Sequence, residues 1–290
     1  MVFYRDMELA LYFFVGLAGV LLGLFLYTQN KEIGVSDYAI GFETLPNAFN
    51  GFRIVQLSDL HNKRFGKQQR YLIDSIRQAN PDIIVMTGDL VDGIFYHPEV
   101  TLELIRGLRD VAPMYCVSGN HEWKTGSYDT FKGQLITLGV SVLDNRVETI
   151  VRNDHMLAIV GIDDYSRYET KQSAKEIIHK ELAQIWQPIN EHAFKILLAH
   201  RPERFSDYME YPFSLIFSGH AHGGQWNLPI LGPLFAPGQG LFPRLVSGIH
   251  RRHGTSMVIS RGIGNSGFAF QRLFNKPEVV VVTLKKEIKK

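Results

Sequence analysis

Arg53-Ile54-Val55-Gln56-Leu57-Ser58-Asp59-Leu60-His61 runs a short apolar strand straight into an aspartate and a histidine. The same pattern recurs along the chain. A second apolar run ends Met86-Thr87-Gly88-Asp89-Leu90-Val91-Asp92, and a third ends Val117-Ser118-Gly119-Asn120-His121-Glu122. A fourth ends Leu198-Ala199-His200-Arg201-Pro202, and a fifth ends Phe217-Ser218-Gly219-His220-Ala221-His222-Gly223-Gly224. Runs rich in Ile, Val and Leu read as buried strands. In open α/β sheets, ligands gather beyond the carboxyl ends of such strands. Glycine beside the polar residue lets the backbone turn sharply there.

Between these strands lie stretches with helical spacing: Lys67–Ala79, Glu99–Leu108, Tyr128–Leu138 and Lys171–Trp186. Their alternation with strands predicts an α/β architecture of two packed mixed β-sheets flanked by helices. Val140–Leu143, Glu148–Val151 and Met156–Val160 read as a meander with a turn at Asn153-Asp154, and Ser256–Ser260 and Val279–Leu284 supply late strands. The predicted organisation is an anchor over residues 1–30, a tether over 31–47 carrying Gly34, Gly41 and Pro46, and one domain over 48–290.

The five tips bring oxygen and nitrogen donors and no thiolate. Imidazole with carboxylate suits Mn, Fe, Zn or Co. Asp59-x-His61 and His220-x-His222 each put two donors on one side of an extended segment, whose side chains repeat every second residue.

The set Asp59-x-His61, Gly88-Asp89-x-x-Asp92, Gly119-Asn120-His121-Glu122, His200 and Gly219-His220-x-His222 resembles the calcineurin-like metallophosphoesterases, all five blocks occurring in order. Ser218–Gln225, with Pro243, Arg261-Gly262 and Pro277-Glu278, is similar to their membrane-associated bacterial phosphodiesterase branch. The resemblance implies an αββα sandwich and two divalent metal ions. Asp59, His61 and His222 would bind the first ion, Asp89 would bridge both, and Asn120, His200 and His220 would complete the second. His121 would stand beside the substrate phosphate, while Asp92 and Glu122 would brace the site. The family's second block commonly continues with arginine, where this chain has Gly93; Arg201 is a candidate replacement for that charge.

The expected reaction is metal-dependent phosphodiester hydrolysis. Two ions about 3.5–4 Å apart clamp an in-line displacement, and a bridging hydroxide attacks phosphorus. His121 would protonate the leaving oxygen. Two divalent ions outweigh two aspartates and one hydroxide, so the site would attract an anion. The alternative is a silent metal-dependent binding scaffold, which would be expected to lack Asp89 or His121; both are present.

Leu9–Tyr27 carries no charge for about 19 residues, long enough to cross a hydrocarbon core, with aromatic residues toward both ends. No small-residue cleavage site follows, so an uncleaved single-pass anchor is favoured over a signal peptide. Gly19 and Gly23 have the GxxxG spacing of weakly self-associating helices. The expected substrate is a phosphoester, lipid-linked in keeping with the anchor, and the resemblance implies the outer face of the cell membrane. Gly223–Gly248 mixes Trp226, Leu231, Phe235 and Phe242 with Pro and Gly, and reads either as an ordered loop packed on the domain or as an apolar lip toward the membrane.

The net charge of +2 gives no argument for nucleic acid. Cys116, the only cysteine, excludes an intrachain disulfide and reads as core. His121-Glu122 is no zinc-protease motif, because Thr125 stands where a second histidine is needed. Gly262-x-Gly264-x-x-Gly267 matches a dinucleotide fingerprint but no helix is expected after it, so it reads as a loop.

Overall fold

The computed structural model describes residues 2–168, 172–186, 189–265 and 271–288. In chain order the elements begin with α1 (Val2–Lys31), β1 (Gly34–Phe42), β2 (Arg53–Leu57), α2 (Arg70–Gln78), β3 (Ile83–Thr87) and α3 (Glu99–Leu108). There follow β4 (Met114–Val117), α4 (Asn120–Lys124), α5 (Tyr128–Thr137), β5 (Val140–Val142), β6 (Arg146–Arg152) and β7 (His155–Gly161). Next come α6 (Ala174–Trp186), β8 (Phe194–Leu198), α7 (Phe205–Tyr208) and β9 (Leu215–Ser218). Four two-residue strands form a pair of small hairpins: β10 (Asn227–Leu228) with β11 (Gly232–Pro233), and β12 (Phe235–Ala236) with β13 (Gly240–Leu241). The chain ends on β14 (Gly248–Arg252), β15 (Thr255–Ile259) and β16 (Glu278–Lys286).

Two six-stranded mixed sheets result, ordered β1-β16-β2-β3-β4-β5 and β14-β15-β9-β8-β7-β6. Strand alternation builds three apolar layers from them. Ile54, Val85, Val117 and Val282 from the first sheet meet Ile159, Ile196, Phe217 and Val258 from the second. The opposite face of the first sheet, with Val55, Leu57 and Met86, is covered by Leu72, Ile76, Leu104 and Leu135 of α2, α3 and α5. The outer face of the second, with Val160, Leu197 and Ile216, packs on Ile178, Leu182 and Phe205 of α6 and α7. The chain is therefore an αββα sandwich, as expected. Phe217 is fully buried between the sheets. Its replacement by alanine is expected to cost about 3–5 kcal/mol, read as a lowered midpoint in urea unfolding of the detergent-solubilised chain.

Three local expectations are corrected. The stretch read as a tether forms β1, an edge strand that pairs in parallel with β16 from Gly34↔Glu278 to Phe42↔Lys286. Its inward face mixes Ser36 with Tyr38 and Ile40, and Ser36 is matched by a hydrogen bond to Glu278, so the hydrophobic period is broken. The supposed meander is split between sheets. β5 adds in parallel to β4, and the chain then crosses through Asp144-Asn145 into the β6–β7 hairpin of the other sheet. Finally, α2 starts at Arg70 because Gln68 and Gln69 hold left-handed backbone, with φ of 54° and 62°. The expected helix start at Lys171 and the third glycine of the fingerprint, Gly267, lie outside the described residues.

α1 is long and apolar enough to cross a membrane over Asp6–Lys31, with mean hydropathy 2.5, and its residues from Asp6 to Leu24 are all exposed. Its last turns do dock. Gln29 Oε1 accepts the Asn275 N–H at 3.2 Å, Asn30 Oδ1 accepts the Arg272 N–H at 3.2 Å, and the Leu26 carbonyl accepts Gln271 Nε2 at 2.9 Å.

Candidate metal centre

β2, β3 and β4 run parallel in one sheet, and β8 and β9 run parallel in the other. The two sheets are stitched where these strands end. Gln56 Nε2 donates to the Ser218 carbonyl at 2.8 Å, and His200 Nδ1 lies 2.6 Å from the Thr87 carbonyl. All five polar tips thus arrive at one edge of the sandwich.

There the backbone leaves ordinary geometry. Asp59, His61, Asp89, His220 and His222 all have positive φ, between 44° and 63°. Such residues cost about 1–3 kcal/mol each and persist only where the surroundings enforce them. Glu122 provides much of that enforcement at Asp89. Its carboxylate accepts the N–H groups of Asp89, Leu90 and Gly119 at 2.8, 2.6 and 2.7 Å. Burial, then the nearby Asp89 charge, push the Glu122 carboxyl up to about 7. Glycine is required alongside, because a Cβ on Gly119 would fall 2.3 Å from Asp89 Oδ1.

Six side chains form two groups that share one carboxylate. Asp59, His61, Asp89 and His222 offer ligand atoms within 4.8 Å of one another, and so do Asp89, His200 and His220. All six are buried. His61 Nε2 is 3.2 Å from His222 Nε2, and His200 Nε2 is 3.1 Å from His220 Nδ1. The Thr87 carbonyl can only accept, so it takes the Nδ1–H of His200 and leaves the Nε2 lone pair facing Asp89 Oδ2 at 3.2 Å. Two acceptors at that distance need a proton or a metal ion between them.

The electrostatics agree with a cation site. Burial pushes the Asp89 carboxyl up, but His200, His121 and His61 outweigh it and hold the carboxyl well below the usual range. Burial pulls His200 down, yet Asp89 outweighs it and raises the ring to about 10. Burial and cationic neighbours hold His220 and His222 well below an ordinary imidazole, so both present lone pairs. Among the buried polar atoms without a hydrogen-bond partner, three belong to the site: His61 Nδ1, His222 Nδ1 and Asn120 Oδ1. Buried polar atoms normally pair. Orphaned N and O atoms around crowded imidazole and carboxylate fit a divalent metal centre, and the shared Asp89 fits a pair of ions.

His121 packs its ring edge-on against His61, 4.5 Å between centroids. Its Nδ1 accepts the Gly93 N–H at 2.9 Å, and its own N–H donates to Asp89 Oδ1 at 2.8 Å. Asp92 caps the next turn through Ile94 N and Phe95 N, and its second oxygen lies 3.7 Å from His61 Nδ1 and 3.8 Å from His121 Nδ1. Arg201 does not stand free for a phosphate. Asp164 grips it at 2.6 and 3.1 Å, Glu203 lies 3.6 Å away, and Tyr165 stacks on its face at 4.3 Å.

Several supporting residues carried no signal in the sequence. Asn275 Nδ2 donates to the carbonyls of His222 and Gln225 at 2.6 and 3.1 Å, fixing the second ligand loop. Arg272 is fully buried and donates to the carbonyls of Gly264, Asn275 and Arg261, tying down the loop after β15. Lys63 lies beside the site, bonded to Asn265 Oδ1 at 2.7 Å. Burial, then the charges of Arg272 and Lys31, pull its ammonium down to about 6.

The chain is 30% identical over 275 residues to the uncharacterized metallophosphoesterase YkuE of Bacillus subtilis, covering 92% of this chain and 91% of that one. It is 28% identical to the phosphodiesterase YaeI of Escherichia coli, covering 80% and 82% of the two chains. The fold matches the solved phosphopantetheinyl hydrolase of Mycobacterium tuberculosis with a TM-score of 0.50 at 13% identity, over 77% of this chain and 96% of that one. The family model of the calcineurin-like phosphoesterases matches residues 52–224, which hold every strand tip described above. On that match and on the near full-length relative, the chain belongs to the calcineurin-like phosphoesterase family.

Proposed function

We propose that the chain is a membrane-anchored hydrolase of phosphodiesters that works with two divalent cations. The observation that carries this reading is the pair of buried donor groups joined through Asp89. Asp59, His61 and His222 would hold one cation, His200, His220 and the orphaned Asn120 Oδ1 the other, and Asp89 both. When bound, the cations supply positive charge opposite the phosphate oxygens and acidify the attacking water. Preference for diesters draws on the similarity to YaeI, and the anchor on α1. The catalytic domain is assigned to the outer face by resemblance.

His121 acts on the leaving oxygen. Because Gly93 N–H occupies Nδ1, the neutral ring carries its proton on Nε2 and donates from there. Burial, with the charges of His61 and His200 added, lowers the ring's pKa despite the opposing Asp89. An imidazolium would also set Nδ1–H against Gly93 N–H. His121 therefore serves as a hydrogen-bond donor to the developing charge more readily than as the full proton donor expected at first.

The test strips the full chain in detergent with a chelator, then restores Mn, Zn, Fe or Co singly. Hydrolysis of an aryl phosphodiester should vanish on stripping and return at least about a hundredfold with the preferred ion, ahead of the matching monoester. Undiminished turnover after stripping would overturn the proposal.

A further inference from the structure

A cavity of about 370 Å³ opens between the end of α1 and the metal centre, lined by Asn30, Lys31, His61, Lys63 and Asn265. It joins two parts of the molecule that the function above treats separately. His61 is a candidate ligand, and Lys31 is the last residue of the apolar helix. Among the described lining residues there are two lysines and two carboxamides but no carboxylate. Lys63 Nζ is held in place by Asn265 Oδ1 at 2.7 Å. Lys31 brings a positive charge and Lys63 a second amine, so the lining offers N–H donors to an anion.

The depth of the cavity identifies where the anion comes from. The uncharged run of α1 ends at Tyr27, so Lys31 lies about 6 Å further along the axis at 1.5 Å per residue. The headgroup layer on each side of a bilayer is about 5–7 Å thick. Lys31 therefore stands at headgroup level when α1 spans, and the cavity stands with it.

A second observation places the same face against lipid. Gln271 donates to the Leu26 carbonyl, and Phe25 packs on Phe274 with centroids 5.1 Å apart. The neighbouring β10–β11 hairpin is tied to that strap by Trp226 Nε1→Gln271 O and Asn227 N→Leu273 O, both 2.9 Å. The tip of this hairpin turns Ile230 and Leu231 out to solvent, Ile230 completely. Exposed aliphatic tips beside a spanning helix suit the bilayer boundary.

We propose that this cavity is a headgroup subsite. It takes the phosphate of a membrane-resident amphiphile between Lys31 and Lys63 and presents it sideways to the metal centre. The proposal rests on the anchored-phosphoesterase reading and names the substrate class for it.

The test uses the metal-loaded full chain in a non-ionic maltoside detergent. Short-chain phosphatidylglycerol and inorganic phosphate are titrated separately by calorimetry. The wild-type chain should bind the lipid at least tenfold tighter than phosphate. Lys31→Gln with Lys63→Gln should weaken lipid binding at least tenfold, and Lys63→Arg alone should keep it within about twofold. Circular dichroism and bound metal check that the variants fold; should the double variant fail, Lys31→Gln alone, at the exposed helix end, should cost at least threefold. Lipid binding untouched by these substitutions would overturn the subsite. Phosphate bound as tightly as lipid, and lost with the same two lysines, would overturn its membrane source. Lipid binding that persists in a chain without any metal-dependent turnover would overturn the proposed function and leave the subsite standing.

Discussion

Asp89→Asn is expected to reduce kcat/KM by about a thousandfold or more, a loss of roughly 4 kcal/mol in transition-state stabilisation. Asp89 is the one carboxylate common to both donor groups, and it lies within 3.7 Å of His61 Nε2 and 3.2 Å of His200 Nε2. Asparagine keeps the shape, and with it the hydrogen bond from the His121 N–H. It removes the charge that two cations in one buried site need between them. Metal analysis should accordingly find fewer than two ions per chain. An asparagine variant that keeps both ions and full rate would remove Asp89 from the chemistry.

His121→Ala should behave differently. Its ring contacts His61 but lies in neither of the two groups joined by Asp89. Two bound ions are expected to remain while kcat falls about 10²–10⁴-fold, the range for a lost proton-handling side chain. His121→Gln discriminates further. A glutamine amide reaches the position of Nε2 and can donate a hydrogen bond, but it cannot hand over a proton. Turnover by the glutamine variant well above that of the alanine variant would support donation from a neutral ring. Equal loss in both would favour full proton transfer.

The strand tips were legible because two independent regularities coincide there. Buried strands such as Ile54–Leu57 and Ile83–Thr87 announce themselves by apolar runs, and the polar residue that ends each run has no packing reason to be there. The layered architecture followed from the alternation of those runs with helical spacing. β1 was missed for the converse reason. Its partner Glu278 satisfies Ser36 from a strand more than two hundred residues away, and no local pattern records that. The change of sheet at Asp144-Asn145 is likewise a tertiary event, since β5 and β6 look alike as isolated strands. Arg272 and Asn275 were illegible because each is a single polar residue in an aperiodic loop, and its importance lies in carbonyls it reaches across the fold. Glu122 accepts from four backbone donors, Val91 N–H at 3.3 Å included, and three of them come from the loop after β3 some thirty residues away, which no local pattern records.

The docking of the last turns of α1 bears on how a water-soluble form should be made. Cutting the chain at the end of α1, after Lys31, would discard Gln29, the acceptor of the Asn275 N–H. Asn275 is also the residue that clasps the His222 carbonyl. A fragment trimmed there would lose purchase on a ligand loop, and sluggish turnover by it would report the trimming and not the enzyme. Replacing outward residues between Leu9 and Leu22 with polar ones, while keeping Leu26 to Lys31, preserves that clasp and gives the better preparation for enzymology.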